Sequence, residues 1–387
     1  MNGSSKKIAV LGATGSIGRS TLEVIAASGG RLQAWALSAH GRCEELLALA
    51  QQFRPAFVVA SDEAAAEQVD WSQLPANCQL LLGTSGLDQV AAAEELDVLL
   101  AAIVGSAGLS STWAAVQAGK TVALANKETL VLAGHLVVEA ARKSGATILP
   151  VDSEHSAIFQ AISAGKRQEL RRIVLTASGG PFLNRTLEEL ANVSVEEALA
   201  HPNWEMGPKI TVDSATMMNK ALEIIEARWL FDLTADEISV VVHPQSIVHS
   251  MVEFVDGSVI AQLSPPDMKL PIQYALDYPD RRPGVAERLD WTAALRLDFQ
   301  PPDLARFPAL ELGLRAARTG GSTGAVLNAA NEAAVAGFLE GELRFNEIVP
   351  ACAAAVDNHE FDPSPSLDAL LRLDAWAREE VSRWVCT

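Results

Sequence analysis

Lys7-Ile8-Ala9-Val10-Leu11-Gly12-Ala13-Thr14-Gly15-Ser16-Ile17-Gly18 is the stretch that decides the fold. Four apolar residues, Ile8 to Leu11, run straight into three glycines spaced three apart, and a helix-forming segment to about Ala27 follows. An uninterrupted apolar run predicts a strand covered on both faces, as in a parallel sheet. Glycines after such a strand let the backbone turn sharply and approach a pyrophosphate, whose charge meets the N–H groups opening the next helix. The spacing G-x-x-G-x-x-G departs from the commoner G-x-G-x-x-G, and an ordinary tight strand–helix turn can carry the same residues. Strand, loop and helix in that order at the chain start predict dinucleotide binding.

Further short apolar runs continue the pattern as far as Glu154: Leu32–Leu37, Ala56–Ala60, Gln79–Leu82, Val98–Val104, Val122–Ala125 and Ile148–Val151. The spacers between them suit crossover helices, so the fold class is α/β, beginning with a doubly wound Rossmann-like sheet. Ligands of such sheets bind at the carboxyl ends of the strands. A second region predicts strands at Arg172–Thr176, Ile238–Val242, Ser246–Phe254 and Val259–Leu263 with a helix from about Ala215 to Leu230, an α+β arrangement. Prolines concentrate from Pro279 to Pro308, and Leu310 to Trp384 has helical periodicity. The expected division is 1–151 for the nucleotide domain, 152–290 for an α+β catalytic domain, 291–310 for a linker and 311–387 for a helical domain.

Composition excludes several classes of partner. With 30 Lys+Arg against 48 Asp+Glu, the formal charge of −18 repels phosphodiester backbones and anionic lipid, and no basic run offsets it. Neither nucleic acid nor membrane is therefore expected as a partner. Cys43, Cys78, Cys352 and Cys386 show no metal-ligand or disulfide spacing and read as reduced thiols. No run reaches the ~20 apolar residues of a membrane span, and Ile8–Leu11 is too short for a signal segment, so a cytoplasmic location is expected.

Four motifs carry chemistry. The second strand ends Leu37-Ser38-Ala39-His40-Gly41-Arg42 with no acid before Glu44, which favours NADP over NAD; Arg42 is the expected phosphate partner, the alternative being a solvated loop residue. Pro150-Val151-Asp152-Ser153-Glu154-His155 ends another strand; if the strand persists, period 2 puts both carboxylates on one face, where Mg²⁺ or Mn²⁺ would stabilise them. Two such acids are also an ordinary surface pattern. In Asp213-Ser214-Ala215-Thr216-Met217-Met218-Asn219-Lys220-Ala221-Leu222-Glu223, Asp213 or Ser214 can cap a helix, and Asn219 and Lys220 share a face with Glu223. That segment reads either as a capped amphipathic helix or as an anion site with a third carboxylate beside it; Ser178-Gly179-Gly180 supplies a similar anion-binding loop. His201-Pro202-Asn203-Trp204-Glu205-Met206-Gly207 suits a closing lid or a folded-back core loop.

These blocks, together with Ala125-Asn126-Lys127-Glu128, His243–Ser250, Pro266-Asp267-Met268 and Asn328–Glu332, resemble the 1-deoxy-D-xylulose-5-phosphate reductoisomerase family over nearly the whole chain and in the same order. The resemblance implies an NADPH- and divalent-metal-dependent enzyme that rearranges and reduces a sugar phosphate to 2-C-methyl-D-erythritol 4-phosphate in non-mevalonate isoprenoid synthesis. It implies that Asp152, Glu154 and Glu223 hold Mg²⁺ or Mn²⁺. It assigns Ser178, Ser214, Asn219 and Lys220 to the phosphate, and Lys127, Ser153 and His201 to the substrate body. Thr14, Gly15, Ser16, Ile17, His40, Gly41, Arg42, Asn126, Glu128 and Gly207 would line the dinucleotide, and a homodimer is implied. The family commonly has Gly, a basic or small residue, then Asn after the second strand, where this chain has His40-Gly41-Arg42. Two other readings fit the first domain. A different NADP-linked reductase would need a nucleophilic Cys or a relay His or Tyr, and a non-catalytic NADP sensor would leave the three carboxylates unexplained.

Overall fold

The structure is a computed structural model describing residues 5–204 and 206–385; Glu205 of the His201–Gly207 loop and Cys386 lie outside them. The chain forms two compact units. The first is Met1–Thr129, Val137–Ser156 and Asp267–Glu287, and the second is Leu130–Leu136, Ala157–Pro266 and Arg288–Thr387.

Every apolar run of the first region becomes a strand. In order these are β1 (Lys6–Leu11), α1 (Ser16–Ala27), β2 (Leu32–Ala39), α2 (Cys43–Phe53), β3 (Phe57–Ala60), α3 (Glu63–Ala66), β4 (Gln79–Leu82) and α4 (Gly83–Ala91). Then follow β5 (Val98–Ala101), α5 (Leu109–Gln117), β6 (Thr121–Leu124), α6 (Glu128–Ser144), β7 (Thr147–Pro150) and α7 (Ser153–Ile162). The seven strands form one parallel sheet in the order β4-β3-β2-β1-β5-β6-β7. Ile8 to Leu11 and Leu99 to Leu100 are wholly buried, as strands covered on both faces must be. Much later in the chain, α12 (Lys269–Asp277) returns to this unit and packs on α1, β6 and β7. Lys269 Nζ lies 3.0 Å from Glu23, and Lys6 Nζ donates to Leu276 O at 2.8 Å.

The second unit has β8 (Leu170–Ala177), α8 (Leu187–Leu190), α9 (Val195–Leu199), α10 (Pro208–Thr216), α11 (Met218–Leu230), β9 (Ile238–Val242), β10 (Val248–Phe254) and β11 (Val259–Leu263). Its helices α13 (Ala309–Thr319), α14 (Thr323–Leu339), α15 (Ile348–Asn358) and α16 (Leu367–Val385) close the chain. The sheet order is β11-β10-β8-β9, parallel between β8 and β9 and antiparallel elsewhere. Leu175, Leu222, Leu310, Val326 and Cys352 belong to one apolar core, so the segment expected as a separate helical domain shares its interior with the α+β region. A Cβ on Gly313 would lie 2.6 Å from Ala221 Cα, so α13 meets α11 backbone to backbone. The proline-rich stretch 279–308 carries no helix or strand and joins β9 through a bridge between Val242 and Gln300.

Candidate active site

The glycine loop is shaped by sterics. Gly12 has φ +87°, and a Cβ there would sit 2.7 Å from Ala102 O; a Cβ on Gly18 would sit 2.3 Å from Gly12 O. Backbone therefore folds against backbone, and Ser38 at the end of β2 secures the turn by accepting from Gly12 N at 3.0 Å. Gly15 caps α1 with no side-chain hydrogen bond, so the N–H groups around Ser16 and Ile17 are not claimed by a capping side chain. Thr14 is buried, while His40, Gly41 and Arg42 form an exposed turn after β2. These features fit a dinucleotide pyrophosphate. Asn126 donates to Gly105 O at 2.9 Å and to Glu128 at 3.2 Å and accepts from Thr129 N at 2.9 Å, which ties the loop after β5 to the start of α6.

Asp152 follows β7 but not as strand. Its Oδ1 accepts from Glu154 N at 3.1 Å and His155 N at 3.3 Å, so the chain turns into α7 and the expected period-2 alignment of Asp152 with Glu154 is replaced by a helix start. The physical reason is that a carboxylate after a strand satisfies the first open N–H groups of a helix better than it continues a ladder. Lys127 Nζ meets Asp152 Oδ2 at 2.8 Å with both side chains nearly buried, and Ser153 Oγ donates to Glu154 at 2.7 Å. Two carboxylates of hard oxygen character stand at the carboxyl end of the sheet, a donor chemistry that fits Mg²⁺.

The second unit carries the other predicted residues. The expected single helix from Ala215 is broken: Met217 has φ +63° and ends α10, and α11 starts anew at Met218. Neither Asp213 nor Ser214 caps α11, whose N-terminus has no side-chain cap; Asn219 and Lys220 lie in its first turn. Asn219 donates to Glu223 at 2.6 Å, and Lys220 forms a close ion pair with the same fully buried carboxylate. Gly180, at φ +63°, stands against Ser214, where a Cβ would come within 2.7 Å of its carbonyl oxygen, so the Ser178 loop and the Ser214 segment are held together. Ser178 Oγ accepts from Gly180 N at 3.1 Å and lies 3.2 Å from His201 Nε2. The N–H groups of Asn203 and Trp204 donate to His201 Nδ1 at 3.1 and 3.0 Å, so the ring proton sits on Nε2 and is donated to Ser178. Burial holds the His201 imidazole below its ordinary range, which keeps it neutral. With two donors already on its oxygen, the Ser178 hydroxyl has its own hydrogen to give, as an anion requires.

Three stretches of the chain match models of one family: residues 8–134 match 1-deoxy-D-xylulose 5-phosphate reductoisomerase, residues 148–231 the reductoisomerase C-terminal domain, and residues 263–380 the DXP reductoisomerase C-terminal domain. The chain is 53% identical over 377 residues to the 1-deoxy-D-xylulose 5-phosphate reductoisomerase of Heliobacterium modesticaldum, spanning 96% of each chain. The enzyme of that name from Pseudomonas putida KT2440 is 53% identical over 387 residues, spanning 98% of this chain and 97% of its own. The chain belongs to the 1-deoxy-D-xylulose 5-phosphate reductoisomerase family. A crystal structure of DOX-P reductoisomerase in complex with NADPH, fosmidomycin and magnesium superposes with a TM-score of 0.92 at 44% identity over 98% of each chain. The reductoisomerase of Zymomonas mobilis in complex with NADPH gives 0.91 at 43% identity, over 98% of this chain and 99% of that one.

Asp213 and His155 are buried beside the predicted residues. Asp213 is 1% exposed, receives Lys209 Nζ at 2.9 Å on one oxygen and Asn331 Nδ2 at 2.8 Å on the other, and so anchors α10 to α14. Lys209 was legible as an i,i+4 partner; Asn331, 118 residues away, was not. His155, fully buried, lies with Nδ1 3.3 Å from Asp152 Oδ1.

Proposed function

We propose that this chain converts 1-deoxy-D-xylulose 5-phosphate to 2-C-methyl-D-erythritol 4-phosphate, using NADPH and Mg²⁺, with Mn²⁺ as an alternative metal, in non-mevalonate isoprenoid synthesis. The observation that carries this reading is its near full-length likeness, at 44% identity, to a reductoisomerase holding NADPH, fosmidomycin and magnesium. The glycine loop at Thr14 to Ile17, the turn His40–Arg42, Asn126, Glu128 and Gly207 are assigned to the dinucleotide. Ser178, Ser214, Asn219 and Lys220 are assigned to the substrate phosphate, and Lys127, Ser153 and His201 to its carbon body.

Asp152, Glu154 and Glu223 would hold the divalent ion. When bound, the metal supplies Lewis acidity at the substrate's ketone and neighbouring hydroxyl oxygens, and NADPH supplies the hydride. The protein's own share is positioning. Ser178 donates its hydroxyl hydrogen to phosphate, while His201, neutral and donating through Nε2, orients that serine. Lys127 pairs with Asp152 and holds its carboxylate in place, and the loop at His201–Trp204 would exclude water on closure. The reading of a different reductase with a cysteine nucleophile loses support, because burial pushes the Cys78 thiol up to about 11 and raises Cys43 and Cys352 as well.

A homodimer belongs to this reading; β11 is an edge strand with Val259 51% and Ile260 39% exposed, a surface suited to a second copy. A cytoplasmic location agrees with the free thiols Cys43, Cys78 and Cys352, and no described helix is long and apolar enough to cross a membrane. The deciding assay is NADPH oxidation with deoxyxylulose phosphate, with and without Mg²⁺. Metal-dependent turnover is expected, and NADPH binding without turnover would overturn the proposal in favour of a sensor.

A further inference from the structure

We propose that Arg19 is a second cation for the 2′-phosphate of NADPH, acting with Arg42, and thereby a determinant of cofactor choice. The proposal rests on the assignment of Arg42 made above. The turn after β2 offers one basic side chain, Arg42, beside His40 and the side-chain-free Gly41. Arg19, in the second turn of α1, approaches from a different element. Its Nε donates to Thr14 O of the glycine loop at 3.2 Å, which directs the guanidinium toward the start of α2.

There Arg19 Nη2 meets Glu45 Oε2 at 2.8 Å, and the same oxygen lies 3.9 Å from Arg42 Nη1. One carboxylate oxygen is thus approached by guanidinium groups from two elements, and it marks a point where an anion is held by both. A phosphomonoester brings up to two charges and three acceptor oxygens to such a point, against the single charge of a carboxylate. Guanidinium forks match its geometry. The side chains of Arg19, Arg42 and Glu45 are 56%, 55% and 41% exposed, so these ion pairs add little to folding and are exchangeable for a ligand. A cavity of about 370 Å³, lined by Gly41, Arg42, Glu45, Ala65, Gln68 and Val69, opens beside them. Glu45 therefore competes with the phosphate for both cations.

The test measures dissociation constants of NADPH and NADH by fluorescence, and of 2′-AMP and 5′-AMP by calorimetry, for the wild type and for Arg19→Ala, Arg19→Lys, Arg42→Ala and Glu45→Gln. Arg19→Ala should weaken NADPH and 2′-AMP about tenfold while NADH and 5′-AMP stay within about twofold, the size of one lost charge-assisted hydrogen bond. Arg19→Lys should recover part of that loss, and Glu45→Gln should tighten NADPH. Equal weakening of NADPH and NADH by Arg19→Ala would mean that Arg19 only supports the glycine loop, and would overturn the proposal. So would an unchanged NADPH affinity in that variant; if Arg42→Ala then still lost NADPH selectively, the Arg42 assignment would stand alone. An Arg42→Ala variant with full NADPH preference would overturn that assignment and the pairing with it.

Discussion

His201 owes its character to two backbone N–H groups aimed at its Nδ1, and this gives it a pH signature. Its pKa is depressed by burial, so the unfolded chain takes up the proton more readily than the folded one. The stability it contributes is complete above the ordinary histidine value of about 6.5 and is lost as pH falls through the lower folded value. Melting temperatures at neutral and mildly acidic pH should therefore fall further in the wild type than in His201→Gln; equal losses would remove the claim. Glu223→Gln should abolish most metal-dependent turnover and leave NADPH affinity nearly intact, measured by fluorescence titration, because the glycine loop belongs to the other unit. It should also lower the melting temperature, since the buried ion pair with Lys220 is then lost. At this scale the sequence displays the charged blocks themselves, Asp152-Ser153-Glu154 and Asn219–Glu223. The tautomer of His201 and the pairing of Asn331 with Asp213 are not displayed, because both depend on contacts that sequence order does not show.

The elements show where local rules competed. The central strands β1 and β5 were readable from unbroken apolar runs, because burial on both faces leaves no polar alternation to confuse with a helix. Two element ends were not. The strand gives way after Pro150 because the Asp152 carboxylate starts α7, and the helix predicted from Ala215 breaks at Met217, whose positive φ no residue propensity favours. That break separates Ser214 at the end of α10 from Asn219 and Lys220 at the start of α11, so the proposed anion ligands come from two helix ends. Gly12→Ala tests the opposite case, a glycine whose conformation the fold demands. With φ at +87° and a carbonyl 2.7 Å from the added carbon, the variant should lose about 1–3 kcal/mol of stability and bind NADPH at least about tenfold more weakly. Chemical denaturation and fluorescence titration check both; an unchanged midpoint and affinity would show that the loop relaxes freely.

At the scale of the whole molecule, a body of charge −18 must admit two anions. The net field repels them over about a Debye length, ~10 Å at 0.1 M salt, while the proposed cations, Arg19 and Arg42 for NADPH and Lys127 and Lys220 for the substrate, act only at contact. Raising KCl from low to physiological levels should accordingly speed NADPH association in stopped flow and also speed its dissociation, as contact ion pairs weaken. An association rate that falls with salt would show that local cations dominate the approach. The sequence order revealed the nucleotide sheet but not the make-up of its unit, since the expected division left Lys269–Asp277 within 152–290 and only packing shows that it covers α1, β6 and β7. The proline-rich stretch likewise suggested a boundary before a separate helical domain, whereas α13 and α11 share one interior. The return of α12 also limits recombination among relatives. A crossover near residue 150 would take the sheet from one parent and its covering helix from the other, separating Glu23 from Lys269, its partner at 3.0 Å. Chimeric enzymes that exchange nucleotide specificity should therefore inherit 267–287 along with the N-terminal segment.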